Sequence, residues 1–188
     1  ERNLTLVKPY DDPLVIAGQG TCGLEISRQA EKLGIDRAEV LVCCGGGGLS
    51  AGISVALSST LPNFTVRTCE PEGYDDMAKS LLSGKREKND SLIGSICDAI
   101  LTPTPGELTF PLLQKLAGRG LVVSDSEVTA TMLNLFTNFK IVAEPGGAVG
   151  MAAALYHQHE LFEDNLIVIV SGGNVDPKQF MNLINNEY

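Results

Sequence analysis

Four glycines, Gly45, Gly46, Gly47 and Gly48, follow the apolar run 40–44 and precede Leu49-Ser50-Ala51. Successive backbone N–H groups with no side chains between them can crowd around one object, and a helix opening behind the loop adds partial positive charge. The chemistry this spacing suits is the binding of an anion, a phosphate above all. A second polar loop, Ser171-Gly172-Gly173-Asn174, follows another apolar run, 166–170. Two loops of this kind at strand ends predict one ligand held across the edge of a parallel sheet. Glu70, Glu72, Asp75 and Asp76 offer hard oxygen ligands of the sort that suit Mg2+ or Ca2+, and equally the make-up of a solvated acidic turn at a helix start. Glu144 opens a further helix, where its charge suits either a cofactor edge or a cap. His157 and His159, two apart and with no third ligand close in sequence, read as surface residues.

The elements that must position these residues alternate. Asp11 or Asp12 before Pro13 is a helix cap, and that helix ends near Leu33-Gly34. Strand 40–44, helix 49–60 and strand 64–69 make a βαβ unit of ordinary size. A helix over 74–82, a polar and mobile segment over 83–89 and a helix over 108–116 follow. Next come a short strand at 121–123, a helix from Ser124 to Phe139, a small-residue helix from Glu144 to Tyr156, strand 166–170 and a last helix after Pro177. This pattern predicts an α/β fold, three-layered and doubly wound, around one mostly parallel sheet.

Composition narrows the partners. The chain has 188 residues, 44% hydrophobic and 20% charged, so it can bury a real core. A net charge of −9 argues against a nucleic-acid or anionic membrane partner. No apolar run approaches the roughly 20 residues that span a bilayer. Five cysteines, mostly in apolar runs, read as reduced thiols in a cytoplasmic protein.

Two chemistries compete for the glycine loop, beside a turn needed only for packing. Gly46-x-Gly48-x-x-Ala51 fits a dinucleotide fingerprint of a NAD-dependent oxidoreductase, with Glu70 about 20 residues on as the ribose acid. A pyridoxal phosphate cradle accounts for the Ser171 loop as well. Five segments together are specific: the stretch from Pro13 to Thr21 carrying Val15-Ile16-Ala17-Gly18-Gln19-Gly20, the run Gly45 to Leu49, Glu70-Pro71, Glu144-Pro145, and Ser171-Gly172-Gly173-Asn174-Val175-Asp176. Through them the chain resembles the serine/threonine dehydratase and serine racemase branch of the fold-type-II pyridoxal phosphate enzymes, which share the tryptophan synthase β-like fold.

That resemblance implies that Gly45, Gly46, Gly47, Gly48 and Leu49 hold the cofactor phosphate and that Ser171 stands beside the pyridine nitrogen. It implies a Mg2+ or Ca2+ ion on Glu70, the Tyr74 carbonyl and Asp76, a small amino-acid substrate, and assembly as a homo-oligomer. The implied reaction is deamination of L-threonine or L-serine to a 2-oxo acid, with serine racemisation as the alternative. In one respect the chain departs from the pattern. None of its eight lysines lies in the Ser-x-Lys-x-Arg-Gly-like context of the family's catalytic lysine. Residues 1–188 therefore read as the C-terminal part of the large cofactor domain, without the lysine segment and the small substrate domain. On that reading the fold is incomplete, no catalytic residue lies in the chain, and by itself it is an inactive cofactor-binding module.

Overall fold

The structure, a computed structural model, describes residues 6–91 and 93–185. Helix α1 (Pro13–Leu33) starts because the Asp12 carboxylate accepts from the N–H groups of Leu14 at 2.8 Å and Val15 at 3.3 Å, with Pro13 preset for the first turn. It stops at Gly34, whose left-handed backbone returns its N–H to Ala30 and Glu31. Strand β1 (Ala38–Cys43), helix α2 (Gly48–Thr60) and strand β2 (Phe64–Pro71) form the expected βαβ unit. Then come α3 (Asp76–Ser83), α4 (Thr109–Leu116), β3 (Leu121–Val123), α5 (Asp125–Asn134), α6 (Pro145–Tyr156), β4 (Leu166–Val168) and α7 (Pro177–Ile184).

The four strands run in the order β3-β2-β1-β4, all parallel, with Val40 beside Val66 and Ile167, and Cys69 beside Leu121. The order turns at β1, whose six residues are all buried. Its alternate side chains serve two cores. Val40 and Val42 pack with Ile26, Ile53, Leu57 and Val66 under α1 and α2. Leu41 and Cys43 pack with Val128, Val149 and Phe180 under α5, α6 and α7. A sheet covered on both faces is the three-layer, doubly wound architecture the sequence predicts.

Helices α1 and α2 lie backbone against backbone, which explains Gly20 and Gly23 of α1 and Gly52 of α2. A Cβ on Gly52 would fall 2.5 Å from the Ile16 carbonyl oxygen, and one on Gly23 would fall 2.8 Å from the Ala56 methyl. Two expectations change. The helix after Ser124 is α-helical only to Asn134 and closes in a π turn over Leu135–Phe139. Segment 83–89, read as mobile, is tied down: Ser80 Oγ accepts from Glu87 N at 2.8 Å, and Asn89 bonds to Asp76 and to the Thr102 and Pro103 carbonyls.

Candidate functional site

The glycine loop lies between the carboxyl end of β1 and the first turn of α2. Gly47, at φ +91°, is the N-cap of α2, and no side chain caps this helix. Asp12 caps α1 and a reciprocal Ser124–Glu127 capping box opens α5, whereas α2, like α6, starts without a side-chain cap. The first N–H groups of α2 are thus left for something outside the helix. The loop is held from behind. The Gly46 carbonyl accepts from Thr109 Oγ1 at 2.6 Å and from Gly106 N at 3.2 Å, and Gly45 packs on Ile100.

Gly45, Gly46, Gly47, Gly48, Leu49 and Ser171 line one cavity of about 270 Å³, together with Cys43, Cys44, Ile100 and Thr102. The structure therefore brings the two predicted loops together at one end of the sheet. Ser171 is exposed, and the loop behind it rests on the start of α6: Glu144 N donates to the Gly172 carbonyl at 3.1 Å. Glu144 is the N-cap residue of α6, with its carboxylate against Gly172. Burial pushes the Cys43 thiol up, tempered by the Gly150 backbone and the nearby Ser171 hydroxyl. Burial likewise pushes up Cys44 and Cys69, so these thiols stay protonated and unreactive. All five cysteines are free, as the sequence suggested.

The acidic cluster is not a solvated turn. Glu70 is fully buried at the end of β2, and its two oxygens accept from Met77 N at 2.8 Å and Ala78 N at 2.7 Å. Asp76, also buried, accepts from Asn89 Nδ2 at 2.6 Å. Burial first, then the Asp76 charge, pushes Glu70 well above the usual carboxylate range, and burial pushes Asp76 up to about 6. The Tyr74 hydroxyl donates to the Ile93 carbonyl. Glu72 and Asp75 lie outside this pair: Glu72 is exposed, and Asp75 pairs with Lys79 at 2.9 Å. Because Glu70 is fully buried, with both oxygens turned to the α3 backbone, it presents no accessible contact to the ribose of the dinucleotide reading. The buried Asn89 Oδ1 has no partner, and each Glu70 oxygen keeps a second lone pair beyond its backbone bond.

Of the two histidines, His159 is exposed as expected and His157 is not. His157 is mostly buried, and Glu160 joins it as the third potential ligand that the spacing did not show. Its ring reaches Glu160 through Nδ1 at 3.0 Å and Glu127 through Nε2 at 3.4 Å, so both nitrogens already face carboxylates. No helix among the described residues is long and apolar enough to cross a membrane.

Fold and cavity together define a doubly wound α/β domain with a glycine-loop cavity at its switch point. The family model of pyridoxal-phosphate dependent enzymes matches residues 1–172, and the chain belongs to that family. It is 37% identical over 179 residues to an L-threonine ammonia-lyase of Thermotoga maritima, covering 95% of this chain and 43% of that protein. A serine racemase of Dictyostelium discoideum is 35% identical over 98% of this chain and 56% of its own length. Among solved structures, the processed form of threonine deaminase isoform 2 from Solanum lycopersicum superposes with a TM-score of 0.87 at 32% identity, over 97% of this chain and 52% of that one. The chain spans about half the length of the relatives it matches.

The residues present fit the family's cofactor. On the cavity side a Cβ at Gly46 would run into the Tyr10 ring, which lines the same cavity, and behind the loop a Cβ at Gly47 would fall 2.7 Å from Met77 Cε and 2.9 Å from Thr109 Oγ1, so a side chain at either position would displace the loop. The cavity lining contains no lysine. The site residues that sequence reasoning missed are Tyr10 and Thr109, which hold the loop from both sides. Only the composition of the turn 9–13 hinted at the first.

Proposed function

We propose that residues 1–188 form the C-terminal part of the cofactor domain of a pyridoxal phosphate-dependent dehydratase that deaminates L-threonine or L-serine to a 2-oxo acid and ammonia. The observation that carries this reading is the meeting of an uncapped glycine loop and the Ser171 hydroxyl in one cavity. The N–H groups of Gly45 to Leu49 would hold the phosphate, and Ser171, on the lining of the same cavity, would take the ring nitrogen. When bound, pyridoxal phosphate supplies the electron sink for the electrons released with the α-proton. A serine hydroxyl at the ring nitrogen, unlike a carboxylate, leaves that sink moderate. The catalytic lysine belongs to a part of the protein outside this chain, so by itself the chain binds cofactor without turnover.

Glu70, the Tyr74 carbonyl and Asp76 would hold a Mg2+ or Ca2+ ion, which would neutralise the buried acid pair. The assembled protein is a cytoplasmic homo-oligomer. Racemisation of serine is the second reading, favoured by the Dictyostelium relative, because both reactions begin with loss of the same proton. The test titrates pyridoxal phosphate and NAD separately into the chain and assays 2-oxo acid and D-serine formation by the protein that carries the lysine segment. Reversible pyridoxal phosphate binding by the chain, with 2-oxo acid release by the longer protein, supports the dehydratase. NAD binding without pyridoxal phosphate binding overturns it.

A further inference from the structure

We propose that Tyr10 is a residue of the binding site, a wall that closes the open side of the glycine loop, and that Asp11 is the positioning residue that holds it there. The proposal rests on the reading of the loop as a phosphate cradle. A Cβ built on Gly46 would fall 2.2 Å from two carbons of the Tyr10 ring, so the ring lies directly on the Gly46 backbone. Gly48 meets the Tyr10 Cβ in the same way, at 3.1 Å. The cavity stays open with the ring in place, with Pro9 and Tyr10 on its lining along with Ser171. The ring is therefore a wall and not a plug.

Asp11 shows how the ring is held. Its φ is +58°, a left-handed backbone that a non-glycine residue adopts at a cost and keeps only where its surroundings impose it. Here the imposing contact is the bond from Leu108 N to Asp11 Oδ1, at 2.6 Å, just before α4. The next residue, Asp12, caps α1. Residues 10–12 are thus one strap, fastened to α4 by one acid and to α1 by the next, with the tyrosine ring pressed on the loop between. Backbone N–H groups exposed to water hold an anion weakly. A ring that excludes water from one side lowers the local dielectric and strengthens each of those bonds.

The experiment titrates inorganic phosphate and pyridoxal phosphate into the full chain by equilibrium dialysis. Tyr10→Ala should weaken both by about tenfold, and Tyr10→Phe, which keeps the ring, by no more than about twofold. Asp11→Ala should weaken both by roughly three- to tenfold, whereas Asp11→Asn, which tolerates the left-handed backbone and keeps an acceptor, should restore wild-type affinity at an unchanged melting midpoint. Tetranitromethane nitration of the wild-type chain, mapped by mass spectrometry, gives a readout independent of variant folding: saturating phosphate should protect Tyr10. Wild-type binding that survives Tyr10→Ala unchanged or tightened, or nitration of Tyr10 indifferent to phosphate, overturns the wall. Failure of the wild-type chain to bind either probe overturns the cradle itself, and the wall with it.

Discussion

The two ends of the sheet are built from different materials. At the carboxyl ends, Gly45 to Gly48 and the Ser171 loop present backbone to an open cavity, and α2 begins without a side-chain cap. In the amino-terminal halves of the strands, side chains close the structure. The guanidinium of Arg67 on β2 meets the carboxylate of Glu39 on β1, both side chains nearly inaccessible, at 3% and 2% exposure. Glu39 also accepts from Phe162 N at 2.7 Å and Glu163 N at 3.3 Å, while Arg67 donates to the Glu160 and Arg119 carbonyls. The Phe162 ring lies 5.8 Å from the guanidinium. One end is specified by charge and satisfied internally. The other is specified by the lack of side chains and left for a ligand. A doubly wound fold thereby keeps the determinants of stability apart from those of binding.

The largest expected effect breaks the closed end. Arg67→Met strands the Glu39 charge in the core and should cost about 3–5 kcal/mol, as a uncompensated buried ion does. Urea denaturation would measure it, and Glu39→Gln in the same chain should return part of the loss. Phosphate affinity of the molecules that remain folded should not change, since sites this far apart act independently. A parallel loss of affinity would show that the two ends are coupled.

Gly47→Val attacks the open end. The variant needs a β-branched residue at φ +91° and places its Cβ against Met77 and Thr109. Pyridoxal phosphate affinity should fall by more than about tenfold, with a stability cost of roughly 1–3 kcal/mol. Equal binding by both chains would mean that the glycine run serves packing alone.

The same contrast explains what could be read from the sequence. The open end was legible because its signals are local: four adjacent glycines and a polar loop after an apolar run. Caps, loops and strand order all follow from short segments and from the handedness of βαβ units. The closed end was not legible. Glu39 and Arg67 are 28 residues apart on different strands, so only the strand register, Leu41 beside Arg67, brings them together. Tyr10 was missed for a similar reason, since its partner glycine is far along the chain. Of the two candidate caps before α1, Asp12 does the capping, and Asp11 turns instead toward α4.

The smallest expected effect sharpens the comparison through pH. His157 belongs to the closed end, beside Glu160, whose carbonyl accepts from Arg67 at 3.2 Å. Burial acts to lower the His157 pKa, but the Glu160 and Glu127 carboxylates outweigh it and the net direction is up. Burial likewise opposes ionisation of Glu127, but the Ser124 N–H and hydroxyl and the His157 ring outweigh it and bring its pKa down. The histidine's contribution is full below its unfolded pKa, about 6.5, and is lost as pH rises through the higher folded value. The glutamate's contribution is full above its unfolded pKa, about 4.3, and is lost as pH falls through the lower folded value. The pair therefore stabilises most between about pH 4.3 and pH 6.5. Because both groups are partly exposed, the gain should be below about 1 kcal/mol. Urea midpoints measured from about pH 5 to about pH 9 should show the wild-type chain ahead of His157→Gln at the acid end and the gap closing above neutrality. A gap constant with pH would assign His157 to packing. Phosphate binding at matched pH should be the same in both chains, since the open end takes no part in this charge network.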